Sequence, residues 1–373
     1  MNGSPSQTQI PAADEVEVSL FGPGLGESVV LHLGQGDWMM VDSFIDAGSD
    51  TPVALDYLRR IGVDPSNAVR LIVATHWHDD HIRGIAKVFG AATNAVFSIT
   101  GAFQEPDFRL ILAPWLANSS PIDGKGLGEV ADLLTISKQR RCSPVLSSAN
   151  KILWERHGEI PVQVRALSPS DPAIAACIAR LRELDPGIFR CRLPLIESNH
   201  ASVVLSVQVG SRRILLGGDL ECRADRKFGW LAIVDSQKGA GAPKHHLFKI
   251  PHHGSSNGHH QEVWTELLNP NPLSALTPFV HGGVRLPTPS DVARIGSHTT
   301  QAYLTAIPRA GKFRDPDRTV EKTMREAARK LTVIPRSSGH VCMRGRHGED
   351  PAAWKVTCHK GASHLDQVAE VSH

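Results

Sequence analysis

Short hydrophobic runs separated by polar turns dominate the first hundred residues of this 373-residue chain. Runs that are rich in Val, Ile and Leu and bounded by Gly and Asp are typical of β-strands. The sequence predicts such strands at 16–20, 28–33, 38–41 and 70–75. Within 51–61 the hydrophobic residues recur at helical intervals, which predicts a helix packed on a sheet. Strands that alternate with helices indicate mixed α/β layers.

The middle of the chain, from about 101 to 197, has a different pattern. Helical periodicity is found over 127–138 and 172–184, the remainder is typical of loops, and we find no cluster of catalytic residue types. We therefore expect a helical and loop elaboration inserted between two parts of one site.

Strand patterns return in the last part of the chain. Strands are predicted at 202–209, 213–216, 246–250, 340–344 and 354–358. One helix is predicted at 319–331. The expected organisation is a flexible lead-in (1–14), one domain (15–345) and a C-terminal extension (346–373) with an added strand and tail.

Composition narrows the class of protein. A hydrophobic content of 41%, a charged content of 21% and a net charge of +2 describe a globular protein. No window approaches the roughly 18–20 apolar residues of a membrane-spanning helix. The polar N-terminus lacks the features of a signal peptide, so we expect a cytoplasmic protein. Six singly spaced cysteines argue against a disulfide framework and a thiolate zinc site.

The charge is unevenly distributed. Residues 285–346 contain thirteen Lys and Arg against five Asp and Glu. A basic segment of this size can receive a polyanion such as nucleic acid, or it can be a solvated helical surface. A protein partner is also possible, but no motif identifies one.

The main cluster of chemically active residues follows the strand predicted at 70–75: His76-Trp-His78-Asp-Asp80-His81. Because side chains alternate along an extended segment, His76 and His78 project to the same side. Asp80 and His81 lie on the turn that follows. Imidazole nitrogens and carboxylate oxygens suit zinc, manganese or iron, so this spacing predicts a metal site.

Other short motifs follow hydrophobic strands elsewhere. An early strand ends at Asp42, a later one ends in Gly-Gly-Asp219, and the strand at 246–250 leads to Pro-His252-His253-Gly-Ser-Ser. A short stretch before the strand at 202–209 contains Asn199 and His200.

The His-x-His-x-Asp-His motif, with a Gly three residues later, resembles the signature of the metallo-β-lactamase superfamily. The resemblance extends over roughly 15–345 and implies an α/β fold, a four-layer αββα sandwich, with two divalent metal ions, zinc foremost and manganese second. His76 and His78 would hold the first ion, and Asp80 and His81 the second.

The same resemblance gives roles to the other motifs. Asp219 would bridge the two ions, and Asp42 would buttress the metal loop from behind. His252 is the favoured ligand of the second ion, with His253 as a ligand or an acid; the reverse assignment stays open.

The third metal motif departs from most hydrolytic members, which have a His where this chain has Asn199. Asn at this place, with the Lys249-x-Pro-His-His-Gly-Ser string, resembles the ComEC-like branch, named for the DNA-uptake channel protein with such a domain. Either Asn199 or His200 would then complete the first metal site. That branch has a loop whose histidines face the site. Residues 284–289 stand at its place here, and Arg285 is a substitute for the missing histidines.

The implied reaction is attack by a hydroxide that two metal ions activate. Asp80 would orient the nucleophile, while Lys249, His253, Ser255, Ser256 and Arg285 are candidates to bind phosphate or to protonate the leaving group. Phosphodiester hydrolysis of nucleic acid or a nucleotide is the leading expectation. Hydrolysis of a lactone, amide or thioester is one alternative, and a metal-bearing subunit that is active only in a multi-protein system is another.

Overall fold

The computed structural model describes residues 9–22, 26–46, 49–103, 126–182, 198–281, 284–307 and 338–369. In chain order its strands are β1 (Glu15–Gly22), β2 (Ser28–His32), β3 (Trp38–Val41), β4 (Val69–Ala74), β5 (Val96–Thr100), β6 (Val145–Ser147), β7 (Ile152–Arg156), β8 (Val162–Ala166), β9 (Leu205–Val209), β10 (Arg212–Leu216), β11 (His245–Lys249), β12 (Leu268–Leu276), β13 (Phe279–His281), β14 (Val284–Leu286), β15 (Ala302–Leu304), β16 (Gly339–Arg346), β17 (Lys355–His359) and β18 (Ser363–His364).

Eight helices lie between these strands in the described part of the chain, and a ninth follows the last strand. They are α1 (Val53–Arg60), α2 (Pro65–Ala68), α3 (Asp79–Ile82), α4 (Ile85–Ala91), α5 (Gly126–Gln139), α6 (Asp171–Arg182), α7 (Gly229–Gly239), α8 (Pro289–Gly296) and α9 (Asp366–Ala369). Short 3-10 turns at Ser198–Ala201 and His252–Gly254 carry residues of the predicted site.

Two large mixed sheets organise the described part of the chain. The first has the order β17-β16-β1-β2-β3-β4-β5-β6, and the second β18-β15-β12-β11-β10-β9-β8-β7. β3 and β4 run parallel, as do β10 and β11, with Leu216 opposite Lys249. Parallel neighbouring strands end at the same edge of their sheet. The segments that follow β10 and β11 in the second sheet can therefore meet each other, and they can also meet the segment that follows β4 in the first sheet.

Burial defines four layers. Residues from facing strands, such as Leu31, Leu71 and Ile214, pack between the two sheets. On the outer face of the first sheet, α1, α4 and α5 cover a second apolar cluster, and α7 and α8 cover a third on the second sheet. The hydrophobic runs predicted as strands are buried on both faces because each sheet is covered on both sides. The predicted four-layer αββα sandwich is confirmed.

The middle stretch differs from its prediction. Two of its helices are present as α5 and α6, but it also contributes β6, β7 and β8 to the edges of the two sheets. In β8, Val162, Val164 and Ala166 are buried while the residues between them are partly exposed, which is the alternation of a strand. This stretch therefore holds three strands in addition to the predicted helices and loops. Residues 104–125 and 183–197 lie outside the described residues.

The first and last described segments of the chain contribute to the sheets. β16 continues to Arg346, and the extension predicted from 346 supplies β17 to one sheet and β18 to the other. In the lead-in, the carbonyl of Gln9 accepts a hydrogen bond from Arg344. The helix predicted at 319–331 lies outside the described residues. Among the helices that are described, we find none with the length and hydropathy to cross a bilayer.

Candidate metal centre

The predicted ligands meet where β4, β10 and β11 end. Gly218 makes the approach of Asp219 possible, because its φ of +52° lies in the left-handed region. A Cβ atom there would stand 2.6 Å from Ser202 Oγ and 2.9 Å from the carbonyl oxygen of Val203. The Ser202 hydroxyl accepts a hydrogen bond of 3.0 Å from the backbone N–H of Asp219. The Gly-Gly-Asp motif thus brings its carboxylate close to the segment after β4.

Three buried imidazoles are held through Nδ1, which fixes their tautomers. Carbonyl and carboxylate oxygens only accept, so His253 donates Nδ1–H to the carbonyl of Thr277 at 2.9 Å, and His81 donates to Asp42 at 2.8 Å. The Thr75 hydroxyl donates to Asp42 and therefore accepts from His76 Nδ1 at 2.9 Å. Each ring is left with a lone pair on Nε2, as in histidines that bind metals.

Two carboxylates face these nitrogens. His81 Nε2 lies 3.3 Å from Asp219 Oδ2 and 3.7 Å from Asp80 Oδ2. His253 Nε2 lies 3.5 Å from Asp80 Oδ2 and 3.6 Å from Asp219 Oδ2. Asp80, His81 and His253 offer ligand atoms that all lie within 4.8 Å of one another, and Glu27, His81 and Asp219 form another such group. Oxygen and nitrogen donors are therefore gathered around one small volume.

The electrostatics of the centre favour a cation. Burial lowers the pKa of His81, but the carboxylates of Asp219, Asp80 and Asp42 outweigh it and raise that pKa well above its usual value. Burial lowers the pKa of His76 well below its usual value, and the neighbouring His81 and His78 add to this effect. Negative charge is thus concentrated on the carboxylates that face the imidazole nitrogens.

Orphaned ring nitrogens test whether a metal ion fits. The Nε2 atoms of His76 and His81 are buried and have no hydrogen-bond partner. A buried polar atom without a partner costs about 1–3 kcal/mol. Coordination of a divalent ion would satisfy both nitrogens, and imidazole and carboxylate are the donors that zinc and manganese accept. The residues present therefore fit a divalent metal centre.

His78 stands at the edge of the cluster. Its ring lies 4.8 Å from that of His76, almost perpendicular to it, and it is only partly buried. Burial lowers the pKa of His78, although the carboxylate of Asp80 raises it. His78 therefore lies beside the buried ligand His76.

The structure assigns the two adjacent histidines differently from the preferred prediction. His253 is buried and faces Asp80 and Asp219, as described above, whereas His252 is half-buried and lies beside Glu221 and Asn199. Both histidines have positive φ, +46° and +55°, a backbone strain that is typical of functional sites. This turn, and not strand alternation, directs the ring of His253 into the centre. The geometry therefore fits the alternative that the sequence left open, in which His253 and not His252 is the ligand of the second ion.

A polar rim adjoins His252. Asn199 donates from Nδ2 to Glu221 Oε1 at 3.0 Å and lies 3.4 Å from His252 Nε2. His200 Nε2 is 3.4 Å from Glu221 Oε2, and its Nδ1 contacts Arg223. Glu221 follows Asp219 by two residues, and its position after Gly-Gly-Asp-Leu was the only signal in the sequence. The chain's Asn199 and His200 thus meet at a carboxylate that the sequence analysis missed.

Lys249 lies behind the centre. Its ammonium forms an ion pair with buried Glu27, donates to the carbonyl of Gly218 at 2.9 Å and is 3.8 Å from Asp219 Oδ1. Burial lowers the pKa of Lys249, but Glu27 and Asp219 outweigh it and raise that pKa above its usual value. A buried lysine whose charge is stabilised by these partners positions Asp219, and this placement does not favour the predicted contact with substrate.

The other predicted substrate residues lie farther out. Ser255 is partly buried and Ser256 is exposed on the turn after His253. Arg285 is exposed on the β13–β14 hairpin, where it pairs with Val280. Phe279 of that hairpin lies against the ring of His253, 5.1 Å between centroids. Because side chains alternate along a strand, Arg285 is on the opposite face of the hairpin from Phe279.

A family comparison agrees with this geometry. Residues 21–107 match the family model described as the metallo-beta-lactamase superfamily. That range contains Asp42 and the whole segment from His76 to His81. The matched segment is therefore similar to this superfamily, and the two-sheet sandwich matches the metallo-β-lactamase fold. A comparison with curated proteins finds no match.

Several solved structures resemble this fold. The metallo-beta-lactamase fold protein YhfI from Bacillus subtilis is 10% identical, with a TM-score of 0.39 over 78% of this chain and 95% of that one. A metallo-beta-lactamase with a HARLDQ motif from Cronobacter sakazakii is 14% identical, with a TM-score of 0.34 over 62% and 73%. The hydrolase AbOPH of the beta lactamase superfamily is 14% identical, with a TM-score of 0.32 over 57% and 72%. Likenesses this distant say nothing about the substrate of this chain.

Proposed function

We propose that this chain, with its metallo-β-lactamase fold, is a metal-dependent hydrolase that cleaves phosphodiesters. One observation carries the hydrolase assignment: the Nε2 atoms of His81 and His253 face the carboxylates of Asp80 and Asp219 in a buried cluster, with the unpartnered Nε2 of His76 beside them. Zinc is the favoured ion because the cluster offers three or four imidazole ligands. Manganese is the second choice because the cluster also offers carboxylate ligands.

The protein residues would divide the work as follows. His76 and His78 would hold one ion, Asp80, His81 and His253 the other, and Asp219 both. Divalent ions bound there supply Lewis acidity and lower the pKa of water, so that hydroxide is available near neutral pH. Asp42, Thr75 and Thr277 orient the imidazoles through Nδ1, and Lys249 holds the charge of Asp219 in place.

The polar residues at the rim of the site are the reason for proposing a phosphodiester substrate. Asn199 in place of a third-motif histidine resembles the ComEC-like branch, and the residues around it are polar or charged: His200, Glu221, Arg223 and His252. A site for a lactone, amide or thioester would present an apolar pocket instead. Polar donors beside a metal centre suit a charged phosphate ester better.

The basic segment 285–346 gives less support to a nucleic-acid substrate than its charge suggests. Of its four described arginines, Arg294, Arg344 and Arg346 form ion pairs with Asp291, Glu17 and Glu15, while Arg285 is exposed. The other basic residues of this segment lie outside the described part of the chain. Nucleic acid remains our proposed substrate class, and a nucleotide is the smaller alternative.

Hydrolysis assays on the metal-loaded chain test the proposal. We expect cleavage of bis-p-nitrophenyl phosphate with zinc or manganese, cleavage of plasmid DNA, and loss of both activities in Asp80→Ala. Asp235→Asn, on the exposed surface, is the control variant that should keep them. No cleavage of either substrate at full metal occupancy would overturn the phosphodiesterase assignment. Turnover of a lactone or thioester instead would show the small-molecule alternative, and inactivity on all substrates would favour a subunit that needs partners.

A further inference from the structure

Asn199, which stands where most hydrolytic members have the third-motif histidine, lies next to the carboxylate of Glu221. Asn199 is nine-tenths buried, and its amide orientation is fixed because a carboxylate only accepts: Nδ2 faces Glu221 Oε1 at 3.0 Å. Its Oδ1 is buried without a hydrogen-bond partner. The Asn199 side chain thus orients Glu221 and leaves an oxygen unsatisfied beside it.

His252 also has a buried ring nitrogen without a hydrogen-bond partner. Its Nδ1 lies 3.3 Å from Glu221 Oε1, yet it makes no hydrogen bond and is buried. The separations between donor atoms of His81, His253, Asp80 and Asp219 are 3.3–3.7 Å. A nitrogen and an oxygen at this spacing, not joined by a hydrogen bond, are arranged like two ligands of one cation.

Glu221 is also held in place from its other side. His200 Nε2 lies 3.4 Å from Oε2, and Arg223 contacts the far nitrogen of His200. Since a guanidinium only donates, His200 accepts at Nδ1 and its protonated Nε2 faces Glu221. The carboxylate is therefore oriented by His200 and Asn199 and presents Oε1 toward His252.

We infer that Glu221, with His252 beside it, is the protein ligand that takes the place of the third-motif histidine and completes the site of the first ion with His76 and His78. The inference rests on the proposed metal centre. In it, Asn199 and His200 act as positioning residues and do not replace the histidine themselves. A carboxylate ligand replaces an imidazole, so the charge of this site is more negative by one than that of a site with three histidines.

Metal binding tests the inference without any assay of hydrolysis. Wild type, Glu221→Ala and Glu221→Gln are stripped with chelator, reloaded with zinc, and analysed for ions per chain and for affinity by calorimetry. Glu221→Gln keeps an oxygen that accepts from Asn199 but loses the charge, so a purely structural role would survive it. Glu262→Gln, which removes a partly exposed carboxylate that pairs with Arg226, is the matched control.

We expect about two ions in wild type and in Glu262→Gln, one in Glu221→Ala, and affinity for the first ion lowered about tenfold or more in Glu221→Gln. With cobalt in place of zinc, the visible absorption spectrum of both Glu221 variants should change. Unaltered occupancy, affinity and spectrum in Glu221→Gln would overturn this inference and leave the proposed function standing. A wild-type chain that binds no ion would overturn the proposed function as well.

Discussion

The carboxylate of Asp42 joins two parts of the centre. Its Oδ2 accepts hydrogen bonds from His81 Nδ1 at 2.8 Å and from the Thr75 hydroxyl at 2.7 Å, while its Oδ1 accepts from the Thr75 backbone N–H at 2.7 Å. Asp42 has a φ of +59°, so the turn after β3 aims the side chain at the segment after β4. Through Thr75 the same carboxylate also orients His76.

Replacing Asp42 by Asn should weaken metal binding while the fold is kept. Three donors converge on the carboxylate, but an amide offers one acceptor oxygen, so at least one of the donors loses its partner. We expect zinc affinity to fall about 10- to 100-fold, the usual effect of losing a group that orients a metal-binding histidine. Calorimetric titration of the chelator-treated variant measures this, with Asp235→Asn as control. An affinity equal to that of wild type would show that Asp42 has no orienting role.

Lys249→Met should destabilise the fold and not merely slow hydrolysis. The substitution leaves Glu27 buried without its ion-pair partner, and removal of one member of a buried pair costs about 3–5 kcal/mol. Urea denaturation of the metal-free protein measures the loss. The double variant Glu27→Gln/Lys249→Met should recover part of it, because no charge is then left unpaired. Wild-type stability combined with a large loss of kcat would instead favour direct contact of Lys249 with substrate.

Acidification should destabilise the chain through His245, which lies away from the metal centre. Its Nδ1–H donates to the carbonyl of Leu267 at 2.9 Å, and its Nε2 accepts from Ser206 at 2.8 Å. Burial lowers the pKa of His245 to about 4. A lowered folded-state pKa means that the neutral ring stabilises the fold above the unfolded pKa of about 6.5, and that this stability is lost as the pH falls from there toward 4.

The expected slope below pH 6.5 is about 1.4 kcal/mol per pH unit, or roughly 2 kcal/mol between pH 6.5 and 5. Urea denaturation of wild type and His245→Gln at several pH values, with chelator present, isolates this contribution because the other histidines titrate alike in both proteins. Parallel stability profiles for the two proteins would show that His245 does not contribute.

The sequence was sufficient for the parts of the fold and site that depend on local pattern. The strands around Met40 and Ile72, buried on both faces, have the continuous apolar runs of covered sheets. The segment from His76 to His81 is contiguous, so its ligand types and spacing are visible without the fold. The middle strands were missed because β6 and β7 are short edge strands, and because the partner of β6, β5, is distant in sequence.

The rest of the centre depends on long-range contacts. Glu27 is paired with Lys249 across more than two hundred residues, and no local pattern indicates it. Strand periodicity ends before His252 and His253. The positive φ angles of these two residues, and not strand alternation, direct the ring of His253 inward. Glu221 becomes recognisable only when 198–201 folds against it.

The buried cluster of histidines and carboxylates is proposed to bind two metal ions. Calorimetric titration of chelator-stripped protein with zinc, compared between wild type, His253→Ala and the surface variant Asp235→Asn, tests this proposal. We predict two binding events in wild type and in Asp235→Asn, and one in His253→Ala, whose Nε2 faces both Asp80 and Asp219. A folded wild-type chain that binds neither zinc nor manganese, or that binds equally well after loss of His253, would contradict the account.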